Sequence, residues 1–169
     1  MSTRRGLAAV GAVVLTLLAG VAVAGNRHAE AGRPGTVRIV RVVDGDTVVA
    51  HLGGTDERVR LIGIDTPETV DPRKPVQCFG REASDRTKAL LPKGMAVRLE
   101  RDVEARDRYG RLLAYVYRAD DGTFVNLALA EEGFAQPLTI PPNVAYADRF
   151  AAAAAGARTA GRGLWSACK

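Results

Sequence analysis

The chain has 169 residues, 24 Lys and Arg against 19 Asp and Glu for a formal net charge of +5, and 47% hydrophobic residues. That balance excludes a collagen-like chain, a disordered polyelectrolyte and a multi-span membrane protein, and two cysteines exclude a disulfide-dense miniprotein. A single domain of this length buries a core of its own and needs no cofactor merely to fold.

The first predicted element is an export signal. Arg4 and Arg5 precede nineteen uncharged residues, Gly6 to Ala24, mostly Ala, Val, Leu and Gly, which is the pattern of a secretory address. Ala22, Val23 and Ala24 supply the small residues a signal peptidase reads. An uncleaved anchor is the alternative, because nineteen apolar residues at about 1.5 Å each just reach across a hydrocarbon core. Either way the domain is secreted or extracytoplasmic, and membrane-bound only if the segment is retained. Without residues 1–24 the charge balance is 22 to 19. That net +3 permits an anionic partner without demanding one. Residues 25–35 read as a linker, leaving 36–169 as the folded domain.

Val37 to Val43 is rich in branched residues and ends at Asp44 and Gly45, a strand running into a tight turn. Thr47–Leu52 and Arg58–Ile64 continue a meander across Gly53 and Gly54. Phe79, Ala83, Thr87, Leu90 and Leu91 recur at helical spacing until Pro92, Lys93 and Gly94. Two strands follow, Met95–Glu100 and Arg111–Tyr117, then a short helix from Asn126 to Glu132 that Gly133 ends. Pro137, Pro141 and Pro142 fix a loop, Asn143 is placed to cap a last helix, and Tyr146, Phe150, Ala153 and Ala157 give that helix its apolar stripe. The order predicts a small antiparallel barrel with helices outside it, and an OB-type barrel has this strand count. Cys78 and Cys168, an even pair in an exported chain, are expected to form a disulfide. Closing roughly 90 residues, it would contribute on the order of 4 kcal/mol in the chain-entropy model. His28 and His51 read as solvated bystanders, and Trp165 as core.

The chemistry lies at two acidic strand ends. Asp44, Gly45, Asp46 and Thr47 form one; Asp65, Thr66, Pro67 and Glu68 form the other. If the two turns meet, Asp46, Asp65 and a backbone carbonyl offer hard oxygen ligands for calcium or magnesium, with calcium favoured because a few ligands on flexible turns suit its irregular geometry, and with no thiolate or imidazole for zinc. Arg58, Arg60, Arg108 and Arg111 flank these acids. Carboxylates, a hard cation and planar guanidiniums describe phosphoryl chemistry. The bland alternative is strand arginines paired with Asp102, Glu104 and Asp107. One geometric condition follows: Arg60 and Asp65 are five residues apart and would face opposite ways on a regular strand, so a bulge or an early exit at Gly63 is required.

Taken together, Val43–Val48 (VDGDTV), Arg60–Glu68 (RLIGIDTPE) and Asp107–Tyr117 (DRYGRLLAYVY) resemble the staphylococcal nuclease, or thermonuclease, family, with Phe79, Gly80, Glu82, Ala83 and Gly163–Trp165 in support. The resemblance covers roughly residues 36 to 166. It implies an α+β fold, a five-stranded OB-fold barrel with three helices, and a Ca²⁺-dependent phosphodiesterase acting on DNA and RNA to leave 3′-phosphates. Carried onto this sequence, it implies Asp46 and Asp65 as carboxylate ligands of calcium and Thr66 as the residue giving a backbone carbonyl. Glu68 corresponds to the general base, Arg60 and Arg111 to the arginines that hold the phosphate, Asp44 to a second acid near the metal, and Arg108 and Tyr109 to neighbours of the nucleotide. No protein partner is implied, and a monomer is expected.

The chain departs from the family in two places. Residues 136–142 read Gln-Pro-Leu-Thr-Ile-Pro-Pro where the prototype has a tyrosine-bearing segment lining the nucleotide pocket, so stacking worth about 1–3 kcal/mol per base is missing. Tyr146 sits on the last helix and reads as core. The cysteine pair is the second departure. The rival from another class is a barrel of this kind that binds nucleic acid or protein at the cell surface without cutting. Lost carboxylates or arginines would mark it, and here every matched position is filled.

Overall fold

The computed structural model of the protein describes residues 35–70 and 75–168. The expected export segment, residues 25–34 of the expected linker and His28 lie outside the described residues. Among the described residues no helix is long and apolar enough to cross a membrane.

Branched residues at alternate positions build the first three strands, β1 (Thr36–Asp44), β2 (Thr47–Leu52) and β3 (Thr55–Leu61). Ile39 pairs with Ala50, and Val48 with Val59, all buried in the core. The alternate set, Arg38, Arg41, His51 and Arg58, is exposed on the outer side. With β5 (Ala96–Glu100) and β6 (Leu112–Arg118) these strands close a five-stranded barrel in the order β1, β2, β3, β6, β5. The expected antiparallel barrel is corrected to a mixed one, because β3 and β6 pair in parallel. The chain leaves β3, makes β4 (Gly63–Asp65), helix α1 (Gly80–Leu90) and β5, and returns to the β3 edge in the original direction. A crossover of that length is what parallel neighbours require.

Three helices of two or more turns or nearly so, α1, α2 (Val125–Glu131) and α3 (Ala147–Thr159), were expected; a fourth, α4 (Leu164–Ala167), is a single turn at the chain end. On α3, Phe150, Ala154 and Ala157 are buried. Phe150, Tyr115, Phe124 and Tyr146 form an aromatic cluster in which Tyr146 lies 4.6 Å edge-on from Tyr115, and the Tyr146 hydroxyl donates to Glu100 at 2.6 Å. Trp165 is half-buried beneath the Arg158 guanidinium, 4.2 Å from its ring, and not a core residue. Asn143 does not cap α3. Its buried amide accepts from the Glu104 N–H at 2.8 Å and donates to the Glu104 carbonyl at 3.4 Å, satisfying a backbone pair that a long loop would leave stranded. Residues expected as loop form β7 (Gln136–Leu138), which pairs with β4.

The strand predicted over 58–64 is broken into two. Ile62 leaves the barrel edge, Gly63 turns at φ +83°, and β4 begins. A Cβ at Gly63 would sit 2.1 Å from Phe150 Cε2, so this glycine is needed both for its backbone angle and for the close approach of α3. Asn126, fully buried, fixes the same break: its amide donates to the Ile62 and Ala114 carbonyls and its oxygen accepts from the Val116 N–H. Cys78 and Cys168 form the expected disulfide, linking the approach to α1 with the end of α4.

Gly63→Ala is therefore expected to destabilise the domain by about 3 kcal/mol, combining overpacking with an unfavourable φ. Reducing the disulfide should lower stability on the order of 4 kcal/mol. Denaturant unfolding of the variant, and of wild type with and without reductant, checks both.

Candidate active site

The two acidic turns meet. The turn between β1 and β2 carries Asp44, Gly45 and Asp46, and helix α1 holds it through Thr87, whose hydroxyl donates to the Gly45 carbonyl at 2.6 Å. A Cβ on Gly45 would lie 2.6 Å from Thr66 Oγ1, so only glycine lets the second turn come this near. The contact is a polar one: Asp46 Oδ2 accepts from Thr66 N at 2.9 Å and Thr66 Oγ1 at 3.1 Å, and Asp46 Oδ1 accepts from Thr47 Oγ1 at 3.1 Å.

Arg60 closes the arrangement. Its Nη1 lies 2.8 Å from Asp46 Oδ2 and its Nη2 2.8 Å from Asp65 Oδ1, with a further bond from Nη1 to the Leu61 carbonyl. Arg60 and Asp65 thus share a side, as the break at Ile62 and Gly63 allows. The pair with Asp46 is largely shielded, the two side chains 12% and 10% exposed, whereas Asp65 is 58% exposed.

Glu68 and Asp44 border this pair on one loop. Glu68 Oε1 accepts from the Thr69 and Val70 N–H groups at 2.9 and 2.7 Å. Its own peptide is clamped by Gln77, whose Oε1 accepts from Glu68 N at 2.9 Å and whose N–H donates to the Glu68 carbonyl at 3.0 Å. Gln77 adjoins the disulfide, so the staple fixes the segment that positions Glu68. Asp44 Oδ1 accepts from Thr69 Oγ1 at 2.6 Å and from Gly45 N at 2.8 Å. Burial first, and then the neighbouring Glu68 carboxyl, push Asp44 above the ordinary carboxylate value despite those bonds. Asp65 is also raised, by partial burial and by the charges of Asp46 and Glu68, with Arg60 opposing.

Arg111 enters from the start of β6. Its Nε donates to Asp107 Oδ2 at 2.7 Å and its backbone N–H to Asp107 Oδ1 at 2.9 Å. Burial works against the Asp107 charge, but these bonds hold its carboxyl below the usual range. Of the three acids considered as plain strand partners, only Asp107 pairs with a site arginine: Asp102 accepts from the Tyr115 hydroxyl, and the Glu104 backbone is held by Asn143. Asp46, Asp65, Glu68, Arg60 and Arg111 line one cleft of about 330 Å³. A larger cavity of about 770 Å³ opens beside it, sharing Arg60 and Arg111 and lined further by Arg108, Tyr109, Leu138 and Ile140. Tyr109 is 69% exposed and takes a 2.7 Å bond from Arg108. Tyr146 is not among the lining residues.

Among the described residues no cluster of three or more His, Cys, Asp or Glu side chains is placed to hold a metal ion. The side-chain donors that converge are two carboxylates, Asp46 and Asp65, both within 2.8 Å of the same guanidinium. Their hard oxygens fit calcium or magnesium and not zinc. Sequence reasoning missed Gln77, Leu138 and Ile140 as site residues. The last two had a signal, as apolar residues in a proline-rich loop, whereas Gln77 had none, since its role depends on a return of the chain to Glu68.

The family model described as staphylococcal nuclease homologue matches residues 58–167. A thermonuclease of Staphylococcus hyicus is 44% identical over 131 residues, covering 78% of this chain and 76% of that protein. A thermonuclease of Staphylococcus intermedius is 52% identical over 108 residues, 64% of this chain and 62% of the relative. Endonuclease YncB of Bacillus subtilis (strain 168) is 40% identical over 132 residues, and there the matched part is 61% of the relative's length.

The raised Asp44 carboxyl gives a pH signature. Its ionisation costs more in the folded than in the unfolded chain, so its contribution to stability is best below the ordinary carboxylate value of 3.8 and falls as pH rises through the folded value. Asp44→Asn removes that cost. Its stability relative to wild type should rise from about pH 3 to about pH 7 in the presence of chelator, as read by urea unfolding at several pH values; a difference independent of pH would contradict this.

Proposed function

The chain belongs to the staphylococcal nuclease family, and on that premise we propose that it is an exported, calcium-dependent nuclease that hydrolyses phosphodiester bonds of DNA and RNA. The observation that carries this is a single cleft in which Asp46, Asp65, Glu68, Arg60 and Arg111 face one another.

In this reading Asp46, Asp65 and the Thr66 backbone carbonyl hold calcium. When bound, that ion would supply a double positive charge to offset the charge developing on the phosphate. Glu68, oriented by the Thr69 and Val70 N–H groups, accepts a proton from the attacking water. A new P–O bond forms, the bond to the 5′ oxygen breaks, that oxygen takes up a proton from solvent and departs as a 5′-hydroxyl, and a 3′-phosphate is left. Arg60 and Arg111 donate hydrogen bonds to the non-bridging oxygens as charge builds on phosphorus, and being planar and permanently charged they do so two bonds at a time. Asp107 keeps Arg111 aimed and Asp44 fixes Thr69 beside Glu68.

The larger cavity accepts the base and sugar. Its wall at Leu138 and Ile140 is aliphatic, with Tyr109 as the aromatic among its lining residues. Contact there is apolar and weakly selective among bases. The chain acts as a monomer, outside the cytoplasm, where the disulfide persists.

Release of acid-soluble nucleotide from denatured DNA by the oxidised full chain tests the proposal. Activity should require Ca²⁺ and vanish with chelator. Glu68→Gln, Arg60→Lys and Arg111→Ala should each lose about 100-fold or more in turnover while remaining folded. A folded wild type that binds DNA but leaves it uncut with calcium present would turn the assignment to a non-cutting binding module.

A further inference from the structure

Two arginines stand outside the arrangement described so far. Arg58 lies two residues before Arg60 on β3, on the same face, and lines the small cleft. The register Arg41 to Val49 to Arg58 sets Arg41 and Arg58 on one row across β1, β2 and β3. Arg38 and Arg41 are three apart and would alternate on a regular strand; the irregularity between Ile39 and Arg41 adds Val40 and returns Arg41 to the outer side. Both Arg41 and Arg58 are exposed, and neither guanidinium has a hydrogen-bond or ion-pair partner among the described residues. Arg60 and Arg111, by contrast, are already matched to carboxylates. Unmatched cations continuous with a phosphate cleft suit a polyanion longer than one nucleotide.

We propose that Arg58 and Arg41 form a phosphate track on the outer face of β1–β3, holding the strand of a polynucleotide beyond the scissile bond. This rests on the nuclease assignment for its purpose but makes a binding claim of its own. OB barrels in general present the face of strands 2 and 3 to oligonucleotides. Val49, between the two arginines, is 5% exposed although it points outward. The row is therefore two charges flanking a covered apolar residue.

The test is binding of a fluorescein-labelled single-stranded 16-mer of thymidylate to the full chain in chelator, where cutting is off, as a function of salt. Arg41→Gln with Arg58→Gln keeps both aliphatic stems. Each lost phosphate contact should make the slope of log K against log salt shallower by about 0.7, or about 1.4 for the pair. The ratio of wild-type to variant affinity should then shrink about sevenfold between about 50 and about 200 mM salt. Lys88→Ala with Lys93→Ala removes the same net charge from α1 and the turn after it and should leave the slope unchanged. An unchanged slope in the arginine variant, an equal loss in the lysine control, or no salt-dependent binding by wild type overturns the track. Binding with the expected slope by a wild type that cuts nothing once calcium is supplied keeps the track and removes the nuclease assignment.

Discussion

The Asp46 carboxylate, nearly closed off from water, ties the molecule together. Burying such a charge costs several kcal/mol unless its oxygens are satisfied, and here four donors satisfy them: Thr47 at the start of β2, the Thr66 amide and hydroxyl from the second turn, and Arg60 from β3. Each donor imposes a demand on the backbone. Thr66 can approach only over a glycine at position 45. Arg60 can reach both Asp46 and Asp65 only if β3 ends at Leu61 and the chain turns at once.

That turn explains features elsewhere that otherwise look unrelated. Once Ile62 leaves the barrel, its carbonyl needs a new donor, and the buried amide of Asn126 supplies one from α2. Once β4 peels away it needs a partner, and β7 pairs with it. The edge of β3 is then open to β6 in parallel, which sets Arg111 at the start of β6 beside Arg60: Val59 pairs with Leu112 and Arg60 with Leu113. Arg60 and Arg111 meet at the cleft because the strands are parallel.

The parts legible in the sequence were those set locally. Asp44-Gly45-Asp46 and Asp65 through Glu68 announce turns by composition, and the five-residue spacing of Arg60 and Asp65 demanded a break that Gly63 marks. What could not be read depends on distant partners. Asn143 precedes a helix and looks like a cap, yet the Glu104 peptide 39 residues away claims its buried side chain. Gln77 is an ordinary loop residue until the disulfide loop folds it against Glu68. The direction of β6 followed from a crossover, and strand composition carries no direction. Trp165 failed for a different reason: a large apolar ring reads as core, but an arginine can cover its face as well as another apolar side chain can.

The electrostatics of the cleft follow from the same economy of contacts. Four carboxylates, Asp44, Asp46, Asp65 and Glu68, border it with three arginines, Arg58, Arg60 and Arg111. Burial and mutual repulsion raise Asp44 and Asp65, so the protein alone holds more negative charge there than it can neutralise comfortably. Arg60 is shared between two acids and Arg111 is held at its Nε edge by Asp107, which leaves the terminal nitrogens of Arg111 outside that bond. The guanidiniums are thus aimed in advance by carboxylates that restrict their rotamers. A divalent cation entering among these acids would relieve their repulsion and weaken their hold on Arg60, making its fork available to a phosphate at small conformational cost.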